Sequence, residues 1–292
     1  MPDFSSSSSF TPRLSVIVVS ADSGPTLRDC VRQVLASELP LEMLLIDNGS
    51  TDGIPQALER AFEQEPRLQV IYNHANLGFG PAVNRAAAHA RGETLLVLNP
   101  DCLVEEADLR RLLAVLHDNP KAGLVGAVVC DADGQPDPAS WRRDPLLRRS
   151  LNSMFGRPGE TVNVQQEIPH AVVEAEAVSG AAMLLPRALF EQLGGFDEGY
   201  FLHCEDLDLC RRVRDRGHRV LLAGDVRVLH AKGSSSRHRP VFVNRHKHRG
   251  MWRWFRQHDP AARNPLIAGA VWLGIWGHFA LQTLARGAKS EK

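Results

Sequence analysis

Two groups of carboxylates, far apart in the chain, set the chemistry open to it. Asp101 closes the run Thr94-Leu95-Leu96-Val97-Leu98-Asn99-Pro100-Asp101, whose short apolar stretch, bounded by Gly92 and Pro100, reads as a fully covered strand. Open α/β sheets collect ligands just past the carboxyl ends of such strands, so Asp101, beside Asn99, stands where a metal or a phosphate binds. A hard cation such as Mg²⁺ or Mn²⁺ takes oxygen ligands and is held by one or two carboxylates plus substrate phosphates. The second group is Cys204-Glu205-Asp206-Leu207-Asp208-Leu209-Cys210, behind the aromatic loop Phe196-Asp197-Glu198-Gly199-Tyr200-Phe201. A carboxylate poised beside such a pocket could remove a hydroxyl proton. The pair of clusters suggests one divalent-metal site and one general base. Plainer readings stand beside these: Asp101 could cap a helix beginning near Glu105, and Glu205 and Asp206 could merely complement a helix dipole.

Other residues gather around the same chemistry. Asp47 and Asp52 flank a Gly-Ser-Thr turn after a predicted strand, where a base or ribose contact is open to them; turn-making and helix capping are the local alternatives, more so for Asp52. His230 ends a strand, and its neutral imidazole is a competent Mn²⁺ ligand or diphosphate anchor. The stretch from Asn76 to Asn84 is glycine-rich but matches neither G-x-G-x-x-G nor a P-loop, so nicotinamide or ATP binding loses its main support.

These residues need a scaffold. Strands are predicted at Leu14–Ser20, Glu42–Ile46, Leu68–Tyr72, Thr94–Leu98 and Leu124–Val129, with helices at Thr26–Ser37, Ile54–Gln64, from Pro81, and at Glu105–His117. That alternation implies a doubly wound, mainly parallel, Rossmann-like sheet with right-handed crossovers. Residues 131–170 break the rhythm with repeated Pro, Arg and Asp and read as a long irregular excursion on the acceptor side. Regular structure resumes at Glu174–Leu185, followed by helices around Arg187–Leu193 and Asp206–Arg216 and a strand at Val226–His230. Residues 1–12, with the run Ser5 to Ser9, read as a disordered leader, and 13–236 as the main domain.

Composition narrows the partners. The 292 residues carry 34 Lys plus Arg against 34 Asp plus Glu, so no global field favours a polyanion, and no nucleic-acid partner is expected. Five cysteines without a Cys-x-x-Cys pair argue against a disulfide framework and fit a reducing cytoplasm. Residues 237–292 differ: Arg237 to Arg256 holds seven basic and no acidic residues, interleaved with Phe242, Trp252, Trp254 and Phe255. Pro265 to Ala285 is apolar and close to the roughly 20 residues that span a bilayer. Its glycines and polar residues favour a helix lying at an interface or packed on the core over a span. A basic aromatic segment of this kind would meet anionic head groups at the cytoplasmic face of the inner membrane.

Six segments in this order resemble the family-two glycosyltransferases of GT-A fold, most closely the bacterial rhamnosyltransferases. They are Ser-Val-Ile-Val-Val-Ser at 15–20, Leu-Ile-Asp-Asn-Gly-Ser-Thr-Asp-Gly at 45–53, Asn-Leu-Gly-Phe-Gly-Pro-Ala-Val-Asn-Arg at 76–85, Leu-Asn-Pro-Asp at 98–101, Val-Ser-Gly-Ala-Ala-Met-Leu-Leu-Pro-Arg at 178–187, and Gly-Gly-Phe-Asp-Glu with Glu-Asp-Leu-Asp-Leu-Cys-Arg-Arg. The resemblance implies a nucleotide-sugar site formed by Ser20, Asp47, Asp52, Gly80, Asn84 and Asn99, with Asp47 on the base. It implies Asp101 as metal ligand in the family's Asp-x-Asp element, completed by His230. Asp206 would be the catalytic base with Glu205 alongside. The activity implied is inverting transfer of a sugar, L-rhamnose in this branch, from a dTDP- or UDP-sugar to a hydroxyl of a cell-envelope polysaccharide or lipid-linked glycan. Two departures stand out: Asn99 replaces the first carboxylate of Asp-x-Asp, and Ser20-Ala21-Asp22 stands where many relatives carry Asn-Tyr. A non-catalytic nucleotide-sugar or nucleic-acid binding protein, or a nucleotidyltransferase, are the alternatives; the latter lacks its usual Gly-rich basic loop after Ser20.

Overall fold

Alternation of short apolar runs with amphipathic segments builds the amino-terminal half as expected. The computed structural model describes residues 11–230 and 240–290. The leader over 1–12 lies almost wholly, and the boundary at 236/237 wholly, outside the described residues. Strands β1 (Leu14–Ser20), β2 (Leu41–Asp47), β3 (Leu68–Tyr72) and β4 (Thr94–Leu98) alternate with helices α1 (Thr26–Leu35), α2 (Ile54–Ala61) and α3 (Phe79–Ala87). There follow β5 (Cys102–Leu103), α4 (Glu106–Asp118), β6 (Ala122–Cys130), β7 (Trp141–Arg142), α5 (Leu147–Phe155), β8 (Val172–Ala175), β9 (Ala177–Val178) and β10 (Ala182–Pro186). The chain closes with α6 (Arg187–Gln192), α7 (Glu205–Asp215), β11 (Arg219–His230), α8 (Pro240–His258) and α9 (Pro265–Ser290).

The main sheet runs β3-β2-β1-β4-β10-β6-β11-β5, with β8 on β11. β1 lies parallel to β2 and β4, β2 to β3, and β6 to β11, which gives the mostly parallel sheet that the alternation predicts. Alternate residues of β1 feed two cores: Ile17 and Val19 face one layer, Leu14, Val16 and Val18 the other. Helices α1, α2 and α4 cover the second layer, while α3, α6, α7 and Trp254 of α8 cover the first. A sheet covered on both faces has continuous apolar strands, which is why β1, β2 and β6 are buried throughout.

Several boundaries differ from expectation, and the differences matter for the site. The regular structure expected over Glu174–Leu185 is three short strands, β8, β9 and β10. β10 runs antiparallel between β4 and β6, pairing Ala182 with Leu98 and Pro186 with Thr94. It therefore begins at the carboxyl edge of the sheet. β11 is longer than the predicted strand and ends in an antiparallel pairing of His230 with Cys102 of the unexpected β5. The excursion over 131–170 contains β7 and α5, and β7 pairs with β9 as a small separate sheet. α3 starts at Phe79 after Gly78 (φ 94°), with Pro81 inside its first turn, where a missing N–H costs nothing.

The carboxyl-terminal pair is only partly what the pattern suggested. Trp254 and Phe255 are buried rather than free to meet a membrane, because they anchor α8 to the domain and to the start of α9. Polar ties add to that anchorage: Arg253 donates to Asp197 at 2.8 Å, Tyr200 Oη donates to Gln257 at 2.7 Å, and His258 Nε2 lies 2.7 Å from the buried Asp208. α9 does not pack on the core. Leu266, Trp272, Leu273, Leu281 and Leu284 are exposed, and Pro265–Ala285 is the one helix among the described residues long and apolar enough to cross a membrane.

Candidate functional site

The reversed strand and the β11 extension bring the two acidic clusters to one edge of the sheet. Past β4 the chain turns through Asn99 to Cys102, and Asn99 N–H donates to Ala181 O at 2.9 Å. One residue earlier, Gly180 N–H donates to Asp206 Oδ2 at 3.0 Å. The short link Ser179–Ala181, leading into β10, is thus bonded on one side to the Asp101 turn and on the other to the first turn of α7. A Cβ at Gly180 would lie 3.1 Å from Asp206 Cβ, so a small residue is what lets the link approach.

Asp101 does not cap the following helix. Glu105 and Asp108 form a reciprocal capping box for α4. Asp101 Oδ1 instead lies 2.9 Å from His230 Nε2, delivered by the β5–β11 pairing. Ligand atoms of Asp101, Cys102 and His230 fall within 4.8 Å of one another. Burial, then the nearby Asp101 charge, raises the Cys102 thiol well above its ordinary range, so it stays protonated and is a poor partner for a hard cation. His230 Nδ1 is buried without a hydrogen-bond partner among the described residues. A carboxylate and an imidazole converging at a strand end fit Mn²⁺ or Mg²⁺; Asp101 and His230 are the residues that would hold it.

The opposite flank holds the second acidic cluster. Asp206 Oδ2 accepts from Arg142 Nη2 at 2.5 Å and from Gly180 N–H, while Oδ1 accepts from Leu207 N–H at 2.8 Å. Burial pushes the Asp206 carboxyl up, but Arg142 and the two backbone donors outweigh it and hold the group below the usual carboxylate range. Glu205 goes the other way: burial and the adjacent Asp206 charge push it up, and its Oε2 has no partner among the described residues. Neighbouring carboxylates driven apart in this way divide into an ionised base and a neutral companion. Just before α7, His203 and Cys204 both adopt positive φ (69° and 72°). Such conformations cost about 1–3 kcal/mol each. They are held in place by α8, where a Cβ on Gly250 would meet His203 O at 2.6 Å.

The expected nucleotide-sugar residues divide. Asp47, buried at the end of β2, accepts from Ser50 N–H at 2.8 Å and Gln56 Nε2 at 3.3 Å, which shapes the loop at the carboxyl edge. Asn99 sits on the Asp101 turn itself. Ser20 is fully buried, and its hydroxyl bonds Ser23 at 3.1 Å. Asp52 takes Gly24 N–H at 3.1 Å and Ile54 N–H at 3.0 Å, a bracing role. Gly80 packs against Phe196, and the Asn84 carboxamide clamps the Phe196 backbone, accepting from its N–H at 2.8 Å and donating to its carbonyl at 2.9 Å. Ser20, Gly80 and Asn84 each make internal contacts with other segments of the same chain.

Three residues escaped the sequence reading. Arg142 lies in the excursion with no local pattern to mark it. Asp22 Oδ1 gathers Thr51 N–H at 2.6 Å, Thr51 Oγ1 and Asp52 N–H, tying the first two loops. Asn48, buried, accepts from Asn73 and Leu77 and donates to Asn76 and Gly78, tying the second loop to the third. Its place next to Asp47 in a polar loop was the only available signal.

Comparison with known proteins agrees with this fold. The profile of the family described as "Glycosyl transferase family 2" matches residues 15–173. The N-acetylglucosaminyl-diphospho-decaprenol L-rhamnosyltransferase of Mycobacterium tuberculosis is 32% identical, covering 88% of this chain and 93% of that one. Among solved structures, the mannosyltransferase PcManGT from Pyrobaculum calidifontis in complex with GDP-Man and Mn²⁺ superposes with a TM-score of 0.61 at 21% identity, covering 96% of this chain and 76% of that chain. TarS 1-349 from S. aureus in complex with UDP-GlcNAc gives 0.56 at 17% identity, over 91% and 80%.

Proposed function

Because the chain belongs to glycosyl transferase family 2, with the GT-A fold, and is a glycosyltransferase, we propose that it transfers L-rhamnose from dTDP-rhamnose to a hydroxyl of an N-acetylglucosaminyl-diphospho-lipid, with inversion at the anomeric carbon. One observation carries the reading: the Asp101–His230 pair and the Asp206–Arg142 pair flank the same link, Ser179–Ala181, at the carboxyl edge of the sheet. Leaving-group and proton chemistry thus share one crevice.

A divalent cation held by Asp101 and His230 would neutralise the departing nucleoside diphosphate. Asp206, ionised, takes the proton of the acceptor hydroxyl as its oxygen attacks the sugar from the face opposite the leaving group. Oδ2 of Asp206 already accepts two hydrogen bonds and Oδ1 one, so the remaining lone pair of Oδ1 receives that proton. Glu205, neutral, adds no second negative charge beside it. The loop of Asp47, braced by Asp22 and Asp52, supports the nucleotide. A lipid-linked acceptor also suits the carboxyl-terminal pair: α8 carries Arg245, Lys247 and Arg249, and α9 exposes a run of large apolar side chains, a combination suited to the cytoplasmic surface of an anionic membrane.

The test is a donor screen. dTDP- and UDP-sugars are offered with a short-chain GlcNAc-diphosphate lipid, with and without Mn²⁺, using wild type and Asp206→Asn. Transfer from dTDP-rhamnose that Asp206→Asn abolishes while still binding dTDP is the expected result. Transfer from UDP-sugars alone, or an undiminished Asp206→Asn rate, overturns the assignment.

A further inference from the structure

The excursion between β6 and β8 supplies a buried cation beside Asp206, to which the activity reading above gives no role of its own. Arg142 is placed by β7, whose residues Trp141 and Arg142 pair with Val178 and Ala177 of β9. Its Nη2 donates at 2.5 Å to both Val178 O and Asp206 Oδ2, and the side chains of Arg142 and Asp206 are only 12% and 15% exposed. Val178 directly precedes the Ser179–Gly180 link, whose Gly180 N–H binds the same carboxylate oxygen. One guanidinium therefore fixes the link and the carboxylate together.

Resting on the transferase reading, we propose that Arg142 is a positioning residue of the reaction: it saturates Asp206 Oδ2 and thereby presents Oδ1 to the acceptor hydroxyl. A guanidinium suits the task, since two N–H bonds of one nitrogen diverge towards two fixed acceptors. It also keeps the Asp206 carboxylate ionised where burial alone would protonate it. A purely structural ion pair would give the same contacts, but it makes a different prediction. Removing a purely structural tie lowers stability and, like any loss of a neighbouring cation, raises the Asp206 titration, but leaves kcat of the folded variant at the pH plateau near wild type.

Arg142→Gln and Arg142→Lys are compared with wild type, with dTDP binding and thermal unfolding used to identify folded protein. Two readouts are taken: rhamnose transfer from dTDP-rhamnose to the short-chain GlcNAc-diphosphate lipid across pH, and ¹³C NMR titration of the Asp206 carboxylate. Arg142→Gln is expected to lower kcat roughly 100-fold, the cost of a misplaced catalytic group, with donor KM nearly unchanged. The acid limb of the rate profile and the Asp206 titration should both move to higher pH, because a cation that favours the carboxylate is gone. Arg142→Lys should restore the limb, since the charge returns, and recover only part of kcat. An Asp206 titration identical in wild type and Arg142→Gln, or an unchanged kcat, overturns the proposal. If wild type transfers nothing to this acceptor, the activity reading falls, and the carboxylate titration still decides whether Arg142 governs Asp206.

Discussion

Replacing Asn84 with alanine separates a structural clamp from a donor contact. Asn84 lies on α3, and its carboxamide satisfies both backbone groups of Phe196, a residue 1% exposed, and donates further to Glu198 Oε1 at 3.1 Å. Alanine leaves the Phe196 N–H and carbonyl buried and unpaired. Each such group costs about 1–3 kcal/mol, so the variant should lose roughly 2–6 kcal/mol. Relief is limited, because Gly195 beside it has φ +72° and sits so close to Asn84 that the loop is already tightly fitted. For a chain of this size about 1 kcal/mol shifts Tm by roughly 2–4 °C, which places the expected drop at about 4–24 °C. Thermal unfolding reads the drop, and calorimetry with dTDP at a temperature where the variant is folded reads nucleotide affinity, which should stay within about twofold of wild type. A wild-type Tm with tenfold weaker nucleotide binding would refute the clamp and return Asn84 to the donor site.

Chelation with EDTA should abolish transfer and Mn²⁺ should restore it. Asp101→Asn and His230→Ala should lower turnover about 100-fold or more, since charge stabilisation by a metal is worth several kcal/mol and each ~1.4 kcal/mol is tenfold; activity indifferent to EDTA would exclude the metal role. The α8–α9 contact should weaken with acid. His248 Nε2 lies 3.1 Å from His278 Nδ1, and burial, helped by His278 and Lys247, holds His248 below its ordinary range. With the folded pKa below an unfolded value near about 6.5, the unfolded chain binds more protons in the interval between them. Stability is therefore full above that value and falls as pH drops below it, so Tm should decline from pH 7.5 to 5 more steeply in wild type than in His248→Gln. Leu273→Glu with Leu281→Glu should reduce flotation with vesicles of anionic phospholipid, while leaving soluble-nucleotide binding intact; unchanged flotation would remove α9 from the membrane reading.

How far the chain could be read from its residues depends on the range of the interactions involved. β1 to β4 and α1 to α4 follow from short apolar runs and period-3.6 patterning within single segments, because burial on both faces of a parallel sheet writes itself as contiguous apolar runs. Asp101 was legible for the same reason: a strand that ends in a carboxylate marks the carboxyl edge wherever the strand finally lies. Pairings between distant segments were not legible. Nothing local in Cys102–Leu103 or His230 announces that they meet, and only the β5–β11 ladder turns the two into neighbours. The reversal of β10 has no periodic signature either, yet it sets Ser179–Ala181 at the edge and joins Asp101 to Asp206. Asn84 and Arg142 show how far the contacts of a polar side chain escape local sequence. Each acquires its partners from whatever stands opposite it in the fold: for Asn84 that is the Phe196 backbone, and for Arg142 it is the Val178 carbonyl and Asp206. Residue type and spacing thus determined the sheet and picked out a candidate metal ligand and a candidate base; the tertiary structure alone decided which charges meet, because hydrogen bonds and ion pairs act over a few ångströms that the chain spans only by folding.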